Sequence, residues 1–199
     1  MLADVLTALS ECRLVELTIV VTGEESAARA ARALGAIAIE DTAESGQSAA
    51  ALIGVERALA EGFQRVLCVP GDCPALDPAE LDALLAPSPG APSSAERPEV
   101  VIVPDRHGSG TNGLLLTPPD AIAPSFGPGS FERHSALARA AGASLRIERP
   151  PSLLLDIDTG SDLSELRDRL SGDPLRAPRT RAALGQPART DVSFISSPG

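Results

Sequence analysis

Short apolar segments alternate with helical segments along most of the chain, and this alternation limits the fold more than any other feature. The apolar segments are rich in Val, Ile and Leu and too short for helices, as is typical of buried strands. The predicted strands are 14–21, 36–39, 66–69, 100–103, 114–116, 145–147 and 153–155. The predicted helices are 1–9, 24–34, 48–60, 78–85, 130–141 and 161–170, the last with Ser161 as its N-cap. Together they predict an α/β fold, a three-layer sandwich around a mostly parallel sheet.

The length of 199 residues suits one domain, which we place at residues 1–171. The segment 87–98 is predicted to be a flexible loop because Pro, Ser, Gly and Ala dominate it. From Gly172 onward Pro, Arg, Ala and Ser dominate without periodicity. A segment of this kind buries too little apolar surface to order itself, so 172–199 is predicted to be a poorly ordered tail.

Charge and cysteine content exclude several classes of protein. A formal net charge of −10 argues against nucleic acid and anionic membranes as partners. No apolar run approaches the roughly 20 residues that span a bilayer, and the start lacks the basic region of a signal peptide. The three cysteines form no C-x-x-C pair, which predicts buried free thiols in a reducing cytoplasm and no zinc site.

Three aspartates follow predicted strands, where α/β sheets bind their ligands. Asp72 comes after strand 66–69 in the segment V-P-G-D-C-P, and as a single residue it could equally be a turn or cap aspartate. Asp156 and Asp158 come after the leucines of 153–155 and lie two residues apart, hence on one side of an extended chain. Adjacent carboxylates repel each other unless a cation neutralises them, so we predict a three-carboxylate Mg²⁺ cluster.

A glycine-rich segment, 104–113 with the sequence P-D-R-H-G-S-G-T-N-G, follows another strand. Its small residues expose backbone N–H groups that can form an anion-binding nest. Arg106 adds guanidinium donors and Thr111 a hydroxyl. Glycine-rich turns are common, so the pattern alone is a weak signal.

A second glycine-rich segment, 125–134 with the sequence S-F-G-P-G-S-F-E-R-H, opens a predicted helix. Ser130 lies at the helix N-terminus, where free N–H groups favour a phosphate or carboxylate. The alternative is that Ser130 is only an N-cap. His134, one turn further, either reaches the same anion or packs in the core.

Taken in order, these four segments resemble the CofC/FbiD family. These guanylyltransferases make the lactyl or enolpyruvyl diphosphoguanosine intermediate of the deazaflavin coenzyme F-420, and the resemblance runs from about residue 1 to 170. It implies a MobA-like nucleotide-diphospho-sugar transferase fold, with Asp72, Asp156 and Asp158 as catalytic Mg²⁺ ligands. It further implies that Thr111, Gly127 and Ser130 hold the acid substrate, with Arg106 and Asn112 in the same motif. Gly46, Gln47 and Ser48 occupy the guanine-nucleotide segment, where Gln47 replaces the more common Asn.

The implied reaction joins GMP from GTP to a small phosphorylated carboxylic acid and releases diphosphate. The attacking phosphate oxygen is already anionic, so no protein base is required. The acid is phosphoenolpyruvate or 2-phospho-L-lactate. All basic residues of the chain are Arg, as in proteins from GC-rich bacterial genomes, and a bacterial origin favours phosphoenolpyruvate. The expected location is the cytoplasm, and a homodimer is left open.

One departure from the family is that the chain has no Lys, whereas the family opens with a strand and a Lys-bearing loop around the triphosphate. Met1 aligns after that loop. Either the start lies too far downstream or the chain is a degenerate paralogue, and we favour the first. In both cases we expect an open sheet edge prone to aggregation. The alternatives are another MobA-like nucleotidyltransferase and a non-catalytic remnant that binds metal and phospho-acid.

Overall fold

The computed structural model describes residues 1–87 and 97–185. The helices in these residues are α1 Leu2–Glu11, α2 Glu25–Ala33, α3 Gln47–Ala60, α4 Pro78–Leu85, α5 Ser130–Ala140, α6 Gly160–Gly172 and α7 Pro178–Ala183. The strands are β1 Ile19–Thr22, β2 Ile37–Glu40, β3 Val66–Cys68, β4 Glu99–Pro104, β5 Thr111–Thr117 and β6 Ser144–Ile147. None of the described helices is long and apolar enough to cross a membrane. Most of the predicted loop 87–98 lies outside the described residues.

Helices cover both faces of the strands, so the predicted three-layer α/β sandwich is present. In β4, Val101 and Val103 pack into a core with residues of α1, α2 and α4. Val100 and Ile102 of the same strand pack into a second core with residues of α3 and α5. These four side chains are at most 1% exposed. A strand that is buried on both faces has no place for polar side chains, which is why it appears in the sequence as an unbroken apolar run.

The strands form two sheets, and their pairing is mixed rather than mostly parallel. β1 and β2 are parallel, and the second sheet has the order β3-β5-β4-β6. β5 is antiparallel to both β3 and β4, whereas β4 and β6 are parallel. The reversal arises because only the short loop 105–110 joins β4 to β5. Such a loop can connect antiparallel neighbours, while parallel neighbours require a long crossover.

A cavity of about 1050 Å³ separates the two sheets. β1 and β3 line it from opposite sides, and each pairs with a neighbouring strand on one side only in the described part of the chain. Small residues of α3, including Ala51 and Gly54, line the cavity as well. The expected open sheet edge is therefore confirmed, while aggregation through it stays a prediction.

The predicted strand 14–21 is shortened to Ile19–Thr22 because its first residues are held by a helix. The backbone N–H groups of Arg13 and Leu14 both donate to Oδ1 of Asp82 on α4, at 2.9 and 3.1 Å. The Leu14 side chain is 51% exposed. These hydrogen bonds direct the backbone away from a sheet ladder before β1 begins.

Helix α7 lies inside the segment that the sequence predicts to be a poorly ordered tail. Asp4 on α1 is buried and accepts hydrogen bonds from the backbone N–H and the hydroxyl of Thr180, at 2.7 and 2.6 Å. The N–H of Arg179 donates to the other carboxylate oxygen at 3.2 Å. The tail prediction is wrong for residues 173–185, because a buried carboxylate far away in sequence supplies the acceptors that order the segment. Residues 186–199 lie outside the described residues.

Replacing Asp4 by Ala is expected to lower the free energy of unfolding by about 2–3 kcal/mol, since two buried donors of Thr180 and the partly buried N–H of Arg179 lose their acceptor. Urea unfolding measures this change. Glu11→Ala, at an exposed position of the same helix, is the control and should stay within about 0.5 kcal/mol of the parent. Equal midpoints for the two variants would contradict the role assigned to Asp4.

The cysteines are free, and the prediction of buried thiols is confirmed for Cys12 and Cys73, while Cys68 is half-buried. Burial raises the pKa of Cys12 to about 11, with a smaller contribution from nearby carboxylates including Asp82. Burial also raises the pKa of Cys68 to about 12. Thiols with such pKa values are protonated at neutral pH and unreactive.

Candidate active site

Asp72 lies at the cavity lined by β1 and β3, in the turn that follows β3. Its side chain is half-buried, and its Oδ1 atom is buried without a hydrogen-bond partner among the described residues. Burial raises the pKa of the Asp72 carboxyl, and the charges of Asp156 and Asp158 raise it further. A buried carboxylate oxygen with no donor, close to two other carboxylates, is suited to a cation.

Asp156 and Asp158 lie in an irregular segment between α6 and a 3₁₀ turn, Pro151–Leu153. The predicted strand 153–155 is therefore wrong. Leu153 packs in the core with residues of α1 and α4, whereas Leu155 packs against α6. The backbone therefore turns from one core to the other between these two leucines. Asp156 is half-buried and Asp158 is exposed.

The three carboxylates fit Mg²⁺ by the type of their donor atoms, since this hard cation prefers oxygen ligands. The effect of Asp156 and Asp158 on the pKa of Asp72 indicates that they lie near it. Within residues 1–87 and 97–185, however, no three His, Cys, Asp or Glu side chains have the spacing of a metal site. The Mg²⁺ cluster accordingly stays a prediction, supported by the unpartnered oxygen of Asp72.

Asn112 connects the start of β5 to the segment that carries Asp156. Its side chain is buried, and Nδ2 donates to the backbone oxygen of Leu153 at 3.1 Å and to Oδ1 of Asp156 at 3.2 Å. These contacts position the Asp156 carboxylate. A direct contact between Asn112 and substrate stays a prediction.

Thr111, Ser130 and His134 form a buried cluster between β5 and α5. The hydroxyl of Ser130 donates to Oγ1 of Thr111 at 3.1 Å, and Nδ1 of His134 lies 3.0 Å from the same oxygen. The N-cap of α5 is Gly129, so the interpretation of Ser130 as an N-cap is wrong. Because its hydroxyl is not engaged in capping, Ser130 can direct it towards Thr111.

The loop before α5 is held in shape by a glycine and an arginine. Gly127 has φ +98°, a left-handed conformation that side chains rarely adopt. The guanidinium of Arg133 donates to the backbone oxygens of Ser125 and Phe126 at 3.0 and 2.9 Å, and also to that of Pro128. This network fixes the loop in front of the Thr111–Ser130 hydroxyls.

The predicted nucleotide segment lies beside the loop that precedes α5. Gly46, with φ +95°, precedes α3, and the hydroxyl of Ser48 in its first turn accepts a hydrogen bond from the N–H of Phe126 at 2.8 Å. Gln47 lines the same cavity as Asp72. The structure thus places this segment next to the other predicted site residues, while its contact with nucleotide stays a prediction.

The anion-binding nest predicted in 104–113 is already filled by a side chain of the same loop. Oδ1 of Asp105 accepts a hydrogen bond from the N–H of Ser109 at 2.9 Å. Burial raises the pKa of Asp105, but the N–H groups of Ser109, Gly110 and Gly108 outweigh it and lower the pKa overall. The nest therefore stabilises the loop and is not available to a substrate anion.

Arg106 is directed towards α6. Its guanidinium lies 2.5 Å from Oδ1 of Asp162 and donates to Oε2 of Glu165 at 2.9 Å. Thr159, not the predicted Ser161, caps α6, and the capping box that it forms with Asp162 presents that carboxylate to Arg106. Binding of substrate by Arg106, which the sequence predicts, would require these ion pairs to open.

A family model described as "Guanylyl transferase CofC like" matches residues 1–176. The chain belongs to this family. The phosphoenolpyruvate guanylyltransferase of Conexibacter woesei is 49% identical over 191 residues, which cover 96% of this chain and 83% of the relative. The protein of the same name from Sphaerobacter thermophilus is 42% identical over 166 residues, covering 83% of this chain and 76% of the relative.

The fold of this CofC-like chain agrees with that of solved nucleotidyltransferases. A nucleotidyl transferase from Methanothermobacter superposes with a TM-score of 0.61 at 24% identity, over 84% of this chain and 81% of that chain. The nucleotidyltransferase fold expected from the sequence resemblance is confirmed.

The Arg106–Asp162 pair is expected to make the free energy of unfolding depend on pH in the acid range. The hydroxyl of Thr159, its backbone N–H and then the charge of Arg106 lower the pKa of Asp162 against the opposing effect of burial, so its carboxylate stabilises the fold above the unfolded value of roughly 4. That contribution is lost as the pH falls through the lower folded pKa. Asp162→Asn should therefore destabilise the protein at pH 7, and the difference from the parent should shrink towards about pH 3. Urea midpoints at both values, with exposed Asp168→Asn as control, measure this, and a difference independent of pH would contradict it.

Sequence reasoning missed Arg133, which holds the loop before α5. It also missed that Asn112 positions Asp156. An Arg one turn into a helix that follows a glycine-rich loop is able to reach back to the loop carbonyls, and that spacing was the available signal. The contact from Asn112 to Asp156 had no local signal, because 44 residues separate the two partners.

Proposed function

We propose that the protein transfers GMP from GTP to a phosphorylated carboxylic acid, phosphoenolpyruvate, and releases diphosphate. The observation that carries this proposal is that two adjacent residues at the start of β5 contact two different groups of predicted site residues. Thr111 belongs to the buried hydroxyl cluster, and the next residue, Asn112, holds Asp156. One strand end thereby links the hydroxyl cluster to carboxylates suited to a cation.

The acid site is formed by the Thr111 and Ser130 hydroxyls at the N-terminus of α5. The helix dipole adds attraction for a phosphate or carboxylate group, while the N–H groups of Ser130 and Phe131 already donate to the backbone oxygens of Gly127 and Ser109. Gly127 keeps the backbone close to this position without a side chain. The names of the two relatives favour phosphoenolpyruvate as the acid.

The nucleotide site is the cavity between β1 and β3, which Gln47 and Asp72 both line. Its volume of about 1050 Å³ lies just above the range of about 300–1,000 Å³ for small-molecule sites. Because the Ser48 hydroxyl binds the N–H of Phe126, the nucleotide segment and the acid-binding loop are mechanically coupled.

In the proposed reaction an oxygen of the acid's phosphate attacks the α-phosphorus of GTP. A new P–O bond joins acid and GMP, the bond to the β-phosphate oxygen breaks, and diphosphate leaves with its electron pair. No proton is transferred, so the residues act by positioning and by charge. A divalent cation such as Mg²⁺, held by Asp72, Asp156 and Asp158, would neutralise charge on the phosphates.

The test is diphosphate release from GTP, Mg²⁺ and either phosphoenolpyruvate or 2-phospho-L-lactate, followed with a coupled phosphate assay. Release with phosphoenolpyruvate is the expected result, whereas release with neither acid would overturn the proposal. Calorimetric titration separates the alternatives. If the acid binds but GTP–Mg²⁺ does not, the protein is a non-catalytic module. If turnover requires a different acceptor, the protein is another nucleotidyltransferase.

The same proposal places the protein in the cytoplasm and in coenzyme F-420 biosynthesis. Its net charge of −10 supports small-molecule partners over nucleic acid or an anionic membrane surface. A homodimer is compatible with this function but is not required by it.

A further inference from the structure

His134 is fully buried, and both of its ring nitrogens are hydrogen-bonded. Nε2 lies 2.8 Å from the backbone nitrogen of Ser125, and Nδ1 lies 3.0 Å from Oγ1 of Thr111. The ring contacts the aromatic ring of Phe126 in a T-shaped arrangement, with centroids 5.1 Å apart. The imidazole therefore has one orientation.

The partner at Nε2 determines which tautomer is present. A backbone N–H can only donate, so Nε2 must accept the hydrogen bond from Ser125 with its lone pair. The ring proton is then on Nδ1, which donates to Oγ1 of Thr111. Burial, and to a smaller extent the charge of Arg133, lower the pKa of His134 to about 4, in agreement with a neutral ring.

This tautomer controls how many donors the hydroxyl cluster can offer. Thr111 and Ser130 have two hydroxyl protons, and one of them forms the hydrogen bond between the two oxygens. Because Nδ1–H of His134 already donates to Thr111, the second proton has no partner within the cluster. With the opposite tautomer, Nδ1 would accept that proton and none would be left over.

We propose that His134 is a positioning residue whose Nδ1–H tautomer leaves one hydroxyl proton of the Thr111–Ser130 pair free to bind a phosphate or carboxylate oxygen of the acid substrate. This inference rests on the proposed function for the identity of the ligand. Its tautomer and its hydrogen bonds do not depend on turnover.

Two variants separate the role of each ring nitrogen. In His134→Asn the amide nitrogen occupies the place of Nδ1 and keeps the donor to Thr111, but the acceptor for Ser125 is lost. In His134→Gln the longer amide reaches the place of Nε2 and keeps that acceptor, but Thr111 loses the Nδ1–H donor that occupies a lone pair of Oγ1 and thereby fixes the direction of the free hydroxyl proton. A purely structural role would make the two variants similar or make His134→Asn the more harmful one.

We expect His134→Gln to raise the KM for phosphoenolpyruvate about three- to tenfold, as for loss of one neutral hydrogen bond. The kcat and the KM for GTP should stay within about twofold, and His134→Asn should raise the KM for phosphoenolpyruvate less than His134→Gln does. Thermal unfolding of both variants verifies that they fold. An equal rise in KM for both variants would overturn the inference.

Nitrogen-15 NMR of the ring tests the tautomer without any turnover. The chain has two histidines, so a His107→Gln variant assigns the signals of His134. The Nδ1–H pattern in the parent supports the inference, and the Nε2–H pattern overturns it. If the parent shows the Nδ1–H pattern but accepts no phospho-acid, the proposed function fails separately.

Discussion

Replacing Asp156 by Asn is expected to lower the kcat of diphosphate release by about a hundredfold or more. The change removes one negative charge from the group formed with Asp72 and Asp158, and losses of this size accompany the removal of a group that stabilises transition-state charge. Asn keeps the size of the side chain and an oxygen that can still accept from Nδ2 of Asn112. The fold should therefore remain, and the melting temperature should change little.

Two measurements and a control variant make this test specific. Steady-state kinetics at increasing Mg²⁺ concentrations show whether the loss persists at saturation, and calorimetry with Mg²⁺ and GTP reports binding separately from turnover. The control is Asp120→Asn, which removes the same charge at an exposed position. Parental kcat in Asp156→Asn would remove the three carboxylates from the proposed reaction.

Replacing Ser130 by Ala is expected to raise the KM for phosphoenolpyruvate about ten- to a hundredfold, with a much smaller change in kcat. A hydrogen bond to a charged group contributes about 1.5–3 kcal/mol, and one that is equally strong in ground state and transition state affects KM alone. The KM for GTP should stay unchanged. Ser135→Ala is the matched control, because Ser135 is equally buried on α5 but donates to the backbone oxygen of Phe131.

A double-mutant cycle with Thr111→Val extends this prediction. Each single variant keeps one hydroxyl with its proton, whereas the double variant has neither, so the rise in KM of the double variant should exceed the product of the two single rises. Thr117→Val, at another buried position of β5, controls for loss of a threonine hydroxyl. Additive effects of Thr111→Val and Ser130→Ala would mean that each hydroxyl binds the acid independently.

The sequence predicted the site better than it predicted the connections that assemble it. The resemblance to the family implied that Thr111 and Ser130 belong to one site, and the structure brings their hydroxyls to 3.1 Å. Arg106 was predicted in the same site but forms ion pairs with α6. Its partners lie more than 50 residues away in sequence, so no local pattern could have indicated them.

Helices were predicted closely where apolar periodicity and capping residues agree. The prediction for α4 has the observed bounds, since Pro78 opens the helix and Asp77 caps it. The prediction for 153–155 failed because consecutive leucines fit a strand as well as a turn between two cores. The prediction of a tail failed because the acceptor that orders α7 is the carboxylate of Asp4.

The sequence by itself determined the α/β class, the positions of most helices and strands, and the family, because periodicity and motifs are local properties of a chain. The tertiary structure decided which groups meet. It placed Asp105 in the predicted nest, Asn112 against Asp156, and the ring of His134 against Thr111. Each of these depends on hydrogen-bond partners that only the folded backbone brings within reach, and one of them, the Ser125 N–H, sets the tautomer on which we expect the acid site to depend.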